Sequence, residues 1–337
     1  MTKSLLLALR RVVWGFVLVF GILTLTWVLT ALLPGDPVSA AMGPQAAPAE
    51  VERVRRLYGL DAPVLVRYGR FLARVVHLGP DLPEAKKGEH GSCAGILPGV
   101  HVDLGYSYTY RRPVTDLIEK KLPASLELAI AGSLVQALLG LLLGGVAALR
   151  RGSRLDHAVV GTAVAFGAAP TFVVGLVLQY ALAHRAGAFP VDGGYTESGL
   201  AHLRAIALPA LTLGLYGAAL LVRLVRSELG DALAQPSVLA VRARGASRLR
   251  AGLVHALRNA SAPIVQLTVL ELGALVGGAV VTERLFRWPG LGEMAVVAVQ
   301  NRDAQAIVGV TLVASTAIVA ATVVADVLGL LLDPRQR

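Results

Sequence analysis

The sequence is poor in the residues that carry most catalytic and metal chemistry. Its 337 residues include one cysteine, Cys93, so no intrachain disulfide can form. No GxxxxGK[ST] sequence is present, which excludes a P-loop for ATP phosphates. HExxH is also absent, and no Ser/His/Asp or zinc-type spacing is convincing. We therefore predict no catalytic residue, no metal site and no cofactor bound by this chain itself.

Aromatic and charged residues are also scarce, at 5% and 16% of the chain, whereas long apolar runs are abundant. Apolar residues make up 55%, with a mean hydropathy of +0.64, and a helix needs about 20 of them to cross the hydrocarbon of a bilayer. The pattern predicts an all-α polytopic membrane protein. An intramembrane protease or acyltransferase is the alternative class, but it would need paired catalytic groups within the spans, and none is found. Six stretches are long enough to span: Val12–Leu33, Ala124–Leu149, His157–Ala183, Ile206–Val225, Ala262–Val281 and Ala306–Leu332.

The net charge of +10 follows the positive-inside rule, so we do not predict nucleic acid as a partner. Arginine and lysine are concentrated in alternate short segments between the apolar runs, which places both termini in the cytosol and a large loop between the first two spans outside. Lys3, Arg10 and Arg11 before the first run resemble the start of a signal peptide. That run is longer than the roughly 7–15 residues of a signal-peptide core, so a retained anchor is expected.

The chain divides into three parts on this pattern. Residues 1–33 form an N-terminal tail and the first span, and residues 34–122 form the extracytoplasmic loop. Residues 123–337 form a five-helix core. Within the loop we predict helices over Ala47–Tyr58 and Pro63–Val76, and an exposed, aperiodic stretch over Gly79–Gly105.

Three polar residues in that aperiodic stretch could be interpreted as metal ligands. His90, Cys93 and His101 are the residues in question. Scattered polar side chains in such a segment are more typical of a plain loop than of a coordination sphere, and we predict that they bind no metal.

A basic segment between the fourth and fifth apolar runs has the pattern of two helices joined by a sharp turn. Pro236 to Arg244 predicts a short helix, Gly245 a break, and Ser247 the N-cap of a second helix that ends at Asn259. Asn259 or Ser261 is then expected to cap the fifth span. Such a segment, near residues 229–260, is a candidate docking surface for another protein. Alternatively, its arginines only set topology and bind anionic lipid.

Several motifs occur in a fixed order along the chain. VRARG (residues 241–245), HALRNA (255–260) and Pro263 mark the basic segment. They are accompanied by LLPGDP (32–37), YGLDAPVLVRYGRFL (58–72), DLGYS (103–107), LPASLELA (122–129) and GGAVVTERLFRWPGLG (277–292). Together these motifs, which cover nearly the whole length, resemble the permease subunits of ABC importers of the dipeptide/oligopeptide/nickel family, in which the basic segment is called the EAA loop.

This resemblance implies the type I ABC importer permease fold in the bacterial cytoplasmic (inner) membrane. The partners it implies are a second, related permease, two cytosolic ATPases that bind ATP and Mg²⁺, and an external solute-binding protein. The expected substrate is a dipeptide or oligopeptide, with nickel or another small solute as the alternative. The ATPase-coupling residues implied are Val241, Arg242, Ala243, Arg244, Gly245, Ala246, Arg248, His255, Arg258 and Asn259.

The sequence departs from the family pattern in two places. Leu239-Ala240-Val241 stands where the family has a glutamate or Thr-Ala at the start of the loop motif, so no acidic docking residue is expected there. About two dozen extra residues, near 79–101, interrupt the outer loop.

Glu271 is the main candidate for the translocation path. It lies midway along the fifth span, where an ionisable group is costly and is expected to face the bundle interior or a water-filled cavity. It could contact the cationic amino group of a peptide, or instead make an interhelical hydrogen bond as a protonated carboxyl. Gln266, Gln136 and Gln179 are weaker candidates, and Glu283 and Asp326, near span ends, are interpreted as structural or gating residues.

Overall fold

A computed structural model describes residues 2–32, 47–57, 61–78, 93–97, 100–193, 195 and 199–332. The described chain is mainly helical. Its helices are α1 (Thr2–Leu32), α2 (Pro48–Leu57), α3 (Val64–Val75), α4 (Val114–Leu149), α5 (Arg154–Ala168), α6 (Thr171–Leu178), α7 (Gly199–Leu233), α8 (Pro236–Ala243), α9 (Arg248–Arg250), α10 (Leu257–Gly278), α11 (Val280–Leu285), α12 (Leu291–Gln300) and α13 (Ala304–Leu332). Two segments are π-helical, Gln179–Arg185 and Ala251–Ala256. The strands are β1 (His77–Leu78), β2 (Cys93–Leu97), β3 (Val100–Asp103), β4 (Tyr106–Ser107) and β5 (Arg112–Pro113).

Five helices in the described chain are long and apolar enough to cross a membrane, namely α1, α4, α7, α10 and α13. The predicted third span, His157–Ala183, is not a straight helix, because α5 and the helix that begins at Thr171 are bent by 105°. Pro170 separates them, and Ala169 before it has extended backbone angles, as the proline ring disfavours the helical region for the preceding residue. Six spans therefore result only if this bent pair counts as one.

The bundle is built on close approaches of α4 to α7 and of α10 to α13. A Cβ at Gly140 of α4 would lie 2.5 Å from Leu221 Cδ2 of α7, so only glycine fits at this contact. Gly273 of α10 meets Ala321 of α13 in the same way. Small residues at helix contacts supply van der Waals packing in a bilayer, where lipid removes most of the hydrophobic drive between helices.

The two helices predicted in the loop after α1 are confirmed as α2 and α3. Phe71 and Val75 of α3 are buried against Leu23 and Trp27 of α1, with Val308 of α13 beside them. α3 therefore packs against the first and last of the long apolar helices, α1 and α13.

The prediction of an aperiodic loop over Gly79–Gly105 is wrong for its described part. β2 and β3 pair as antiparallel strands, with Cys93 opposite Asp103, and β1 pairs with the other edge of β3. Apolar and polar residues alternate in Val100-His101-Val102-Asp103, which is typical of a β-strand with one buried face. Val102 is indeed buried. His90 lies outside the described residues. Among the described residues, no group of three His, Cys, Asp or Glu side chains could hold a metal ion.

Candidate coupling and translocation site

The short basic helix predicted before Gly245 is confirmed as α8. It begins at Pro236, whose fixed φ suits a first helical turn. Its end is a Schellman motif, in which the Gly245 N–H donates to Arg242 O at 2.9 Å and the Ala246 N–H to Val241 O at 3.3 Å. Gly245 has a φ of +96°, which side chains other than glycine rarely adopt. The turn thus depends on glycine.

The second helix starts as predicted but does not end as predicted. Ser247 Oγ accepts a hydrogen bond from the Arg250 N–H at 3.2 Å, as an N-cap does. From Arg248 the chain continues through the π-helical segment Ala251–Ala256 into α10 without a break. Asn259 and Ser261 are therefore inside a helix and cap nothing. Asn259 Nδ2 instead donates to Gln235 Oε1 at 2.9 Å, which ties α10 to the residue before α8.

We call the basic segment near residues 229–260 the coupling loop. Burial divides it into an anchored face and an exposed basic face. Val238 of α8 is buried with Ala251, Ala256 and Ala260 in one cluster that also contains Leu221 of α7. Of the residues implied for coupling, Arg242, Ala243, Arg244, Gly245, His255, Arg258 and Asn259 are exposed, and Val241 and Ala246 are half-buried. The side chain of Arg248 is not among those described. A displacement of α8 would thus be transmitted through packed side chains to α7 and α10.

A cavity of about 960 Å³ lies between α8, the start of α10 and the end of α13. We call this end of the bundle the coupling-loop end. His255, Arg258, Asn259 and Gln266 line the cavity together with Glu228 of α7, Leu331 and Leu332. The structure therefore brings one path candidate, Gln266, next to residues of the coupling loop, with a carboxylate and a guanidinium on the same walls.

The other path candidates are separated from that cavity. Glu271 is half-buried on α10, and no hydrogen bond or ion pair joins it to another described side chain. Leu267 and Leu275, one turn away on either side, pack into the core clusters formed with α4 and α7. Glu271 thus lies at membrane depth between two packed layers, where an unpaired carboxylate is costly.

Gln136 and Gln179 are in different surroundings. Gln136 is fully buried, faces Gly217 of α7 and finds no hydrogen-bond partner for either amide atom among the described residues. Its amide therefore contacts another helix. Gln179 Nε2 donates to Val191 O at 2.6 Å, in the π-helical segment that follows α6. The four path candidates do not form one cluster.

Sequence reasoning missed an ion pair close to the coupling-loop end. Asp156 of α5 is fully buried and accepts from Arg226 Nε at 2.5 Å and Nη2 at 2.7 Å. The Gly152 N–H donates to the same carboxylate at 2.8 Å. This bidentate bridge ties the turn between α4 and α5 to α7, which leads into α8.

A second buried carboxylate, Glu283, joins two distant segments at the opposite end. It accepts from Ser125 Oγ of α4 at 2.7 Å and from the Glu293 N–H at the start of α12 at 3.1 Å. Ser125 Oγ in turn accepts from the Leu291 N–H at 2.7 Å. Burial raises the pKa of the Glu283 carboxyl, and the donors around it lower that pKa in part. The structure gives this residue the contacts of a helix cap.

Replacing Glu283 by alanine is expected to lower the free energy of unfolding by about 2–3 kcal/mol, because buried donors at Ser125 and at the start of α12 lose their acceptor. Thermal unfolding in detergent and amide exchange at residues 291–293 would measure this. Glu293→Ala is the matched control, since its carboxylate pairs with Lys121 at 3.2 Å and keeps 30% exposure, and the expected cost is below about 1 kcal/mol. Equal effects of the two variants would contradict the cap.

The described chain thus combines five helices long and apolar enough to cross a membrane with a short, exposed basic helix, α8, between two of them, as expected of a polytopic membrane protein. The chain belongs to the family of binding-protein-dependent transport system inner membrane components, whose pattern matches residues 140–337. The N-terminal pattern of the same kind of membrane component matches residues 4–129. It is thus a permease by family.

Similar proteins cover nearly the whole chain. A putative peptide transport system permease protein of Brucella abortus is 31% identical over 98% of each chain. A di/tripeptide transport system permease protein of Pseudomonas aeruginosa is 33% identical over 94% of each. Inward-facing structures of the MetNI methionine ABC transporter share the fold, with a TM-score of 0.50 and 19% identity over 66% of this chain and 98% of that one.

Proposed function

We propose that this chain is one of two permease subunits of an ATP-driven importer that takes up dipeptides or oligopeptides. The observation that carries the proposal is the coupling loop, in which Arg242, Arg244 and Arg258 are exposed and α8 is anchored on α7 and α10. The family supports an importer of this kind. Relatives with full-length coverage are named for peptide transport, which favours peptide over nickel or another small solute.

In this mechanism α8 docks in a groove of a cytosolic ATPase subunit. The partner ATPases bind ATP and Mg²⁺, and this chain supplies no cofactor. When the ATPases close on ATP, the contact with α8 is carried through the buried cluster around Val238 into α7 and α10. Binding that differs between the inward-facing and outward-facing states shifts the population from one to the other. A second permease and an external solute-binding protein complete the assembly.

We further propose the orientation of the chain in the bacterial cytoplasmic membrane. The coupling-loop end faces the cytosol, with both termini, and the segment from residue 34 to 122 faces outward with its insert near 79–101. Exposed arginines concentrated at the coupling-loop end support this arrangement. The bent pair of α5 and α6 counts as one span in this scheme.

Uptake by the reconstituted assembly tests the function. Proteoliposomes that contain both permeases and both ATPases, supplied with binding protein and ATP, are expected to accumulate labelled dipeptide or oligopeptide. Omission of binding protein or ATP should abolish accumulation. ATP-dependent accumulation of Ni²⁺ with no peptide uptake would contradict the peptide assignment, and no ATP-dependent uptake of either would contradict the importer.

Glu271→Gln is expected to raise the half-saturating concentration for free peptides about tenfold. A charge-assisted contact with the peptide amino group is worth about 1.5–3 kcal/mol, and the amide retains shape but not charge. N-acetylated peptides, which have no cationic amino group, are the matched control, and the substitution should leave their uptake unchanged. Equal changes for free and acetylated peptides, or no change for either, would contradict the contact.

A further inference from the structure

An apolar cavity of about 300 Å³ opens on the outside of the bundle between α4, α5 and α7. Apart from Thr162, its walls are apolar. Leu143 and Phe166 at its rim remain 39% and 37% exposed, so the opening faces away from the other helices. The cavity is lined by, among others, Leu143, Ala158, Thr162, Phe166, Ala219 and Val222.

Two close contacts between α5 and α7 lie on either side of the cavity along α5. At one point a Cβ on Gly167 would lie 2.5 Å from the Cβ of Ala219, so the helices are in close contact. At the other, Asp156 is bound to Arg226. Alanines such as Ala158 and Ala219 line much of the gap, and their side chains are too short to fill it. An empty apolar gap at membrane depth forfeits dispersion contacts, so a chain of matching chemistry is favoured there.

All three helices that line the cavity carry an exposed arginine at the coupling-loop end. These are Arg150 after α4, Arg154 at the start of α5, and Arg223 on α7. Arg154 precedes the lining residue Ala158 by four residues, about 6 Å along the helix, and Arg223 directly follows Val222. No ion pair joins these three arginines to an acidic residue in the described chain, whereas Arg151 and Arg226 are paired with Asp231 and Asp156.

We propose that this cavity binds one acyl chain of an anionic phospholipid, whose phosphate is held by Arg150, Arg154 and Arg223. Apolar walls at the depth of the acyl chains and unneutralised cations at the headgroup level match the two parts of such a lipid. The lipid then fills the gap that the Asp156–Arg226 bridge and the Gly167 contact leave between α5 and α7. The inference does not depend on the substrate of the importer.

Native mass spectrometry of the purified permease complex tests whether the three arginines hold an anionic headgroup. Wild type is expected to retain phosphatidylglycerol in preference to phosphatidylcholine after detergent washing. Each Arg→Gln substitution at 150, 154 or 223 should weaken retention about fivefold, and the triple variant on the order of 100-fold. Arg10→Gln is the matched control, since Arg10 is an exposed arginine of α1 that does not line the cavity. Equal retention of both lipids, or an equal loss in the control, would overturn the proposal.

Substitutions that fill the cavity test whether it binds an acyl chain. Thr162→Trp and Ala158→Leu place bulk in the cavity from exposed positions of α5, where folding should tolerate it. Both are expected to reduce phosphatidylglycerol retention at least tenfold while the complex elutes normally. Unchanged retention in both would overturn this part. A second permease subunit is the competing occupant, and disulfide crosslinking to it from Thr162→Cys in a Cys93→Ser background would also overturn the proposal.

Discussion

Asp156→Ala is expected to destabilise the permease more than loss of the exposed Arg151–Asp231 ion pair at the same end of the bundle. The change leaves the Arg226 guanidinium without its bidentate partner and the Gly152 N–H without its acceptor. Removing one partner of a buried ion pair costs about 3–5 kcal/mol. We expect about 2–3 kcal/mol here, because the Arg226 side chain retains 29% exposure and water screens it in part.

Thermal unfolding of the detergent-solubilised protein measures this cost, and the matched control lies on the same two segments. Arg151 and Asp231 form a second ion pair between the α4–α5 turn and α7, at 2.8 Å, but both side chains are about half exposed or more. Asp231→Ala should therefore cost under about 1 kcal/mol. If Asp156→Ala destabilised no more than Asp231→Ala, the bridge would not be what holds α5 to α7.

A double replacement separates the charge of this bridge from its packing. Asp156→Leu with Arg226→Leu removes both charges, and buried ion pairs replaced by apolar residues are often neutral or stabilising. We expect the double variant to recover most of the stability that Asp156→Ala loses. A double variant as unstable as the single one would show that the cost comes from lost packing and not from an unpaired guanidinium.

Gly245→Val is expected to uncouple ATP hydrolysis from uptake while leaving the membrane bundle folded. Its φ of +96° is strained for any side chain and most for a β-branched one. No atom lies within 4 Å of a Cβ built there, so the effect is conformational and not a clash. The strain should open the Schellman turn and turn α8 away from its docking position. We expect at least a tenfold loss of uptake per ATP hydrolysed.

Further substitutions at Gly245, and a control substitution at Gly187, distinguish backbone strain at this turn from a general effect of replacing a glycine. Asn tolerates the left-handed region better than Ala or Val, so uptake should fall in the order Gly, Asn, Ala, Val. Gly187 also has a positive φ, +61°, and open space around it, but lies outside the coupling loop. Gly187→Val should retain the normal ratio of uptake to hydrolysis. An equal loss at Gly187, or full coupling in Gly245→Val, would contradict the role of the turn.

The sequence predicted those features that depend on near neighbours along the chain. The turn at Gly245, the start of α8 at Pro236 and the N-cap at Ser247 follow from backbone preferences of one to four residues, and all three are present. The predicted cap at Asn259 or Ser261 failed for a related reason. A cap at either residue requires a new helix to begin there, whereas the π-helical segment Ala251–Ala256 continues the earlier helix directly into α10.

Contacts between distant residues could not be predicted from the same information. Asp156 and Arg226 are 70 residues apart, and Ser125 and Glu283 are 158 apart. Whether such residues meet depends on the rotation and depth of each helix against its neighbours, which the apolar runs leave open. Glu283 could be assigned a structural or gating role, but its partners could not be named.

The sequence by itself therefore determined the class of protein, the apolar helices and the position of the coupling turn, because run length, charge and glycine or proline chemistry act locally. Only the tertiary structure decided how the parts are connected. In the tertiary structure the third apolar run is bent by 105°. Two buried carboxylates, Asp156 and Glu283, link segments that are distant in sequence, and an apolar cavity lies near three arginines. Each of these depends on which helix faces meet, a property of packing in three dimensions and not of any single stretch of sequence.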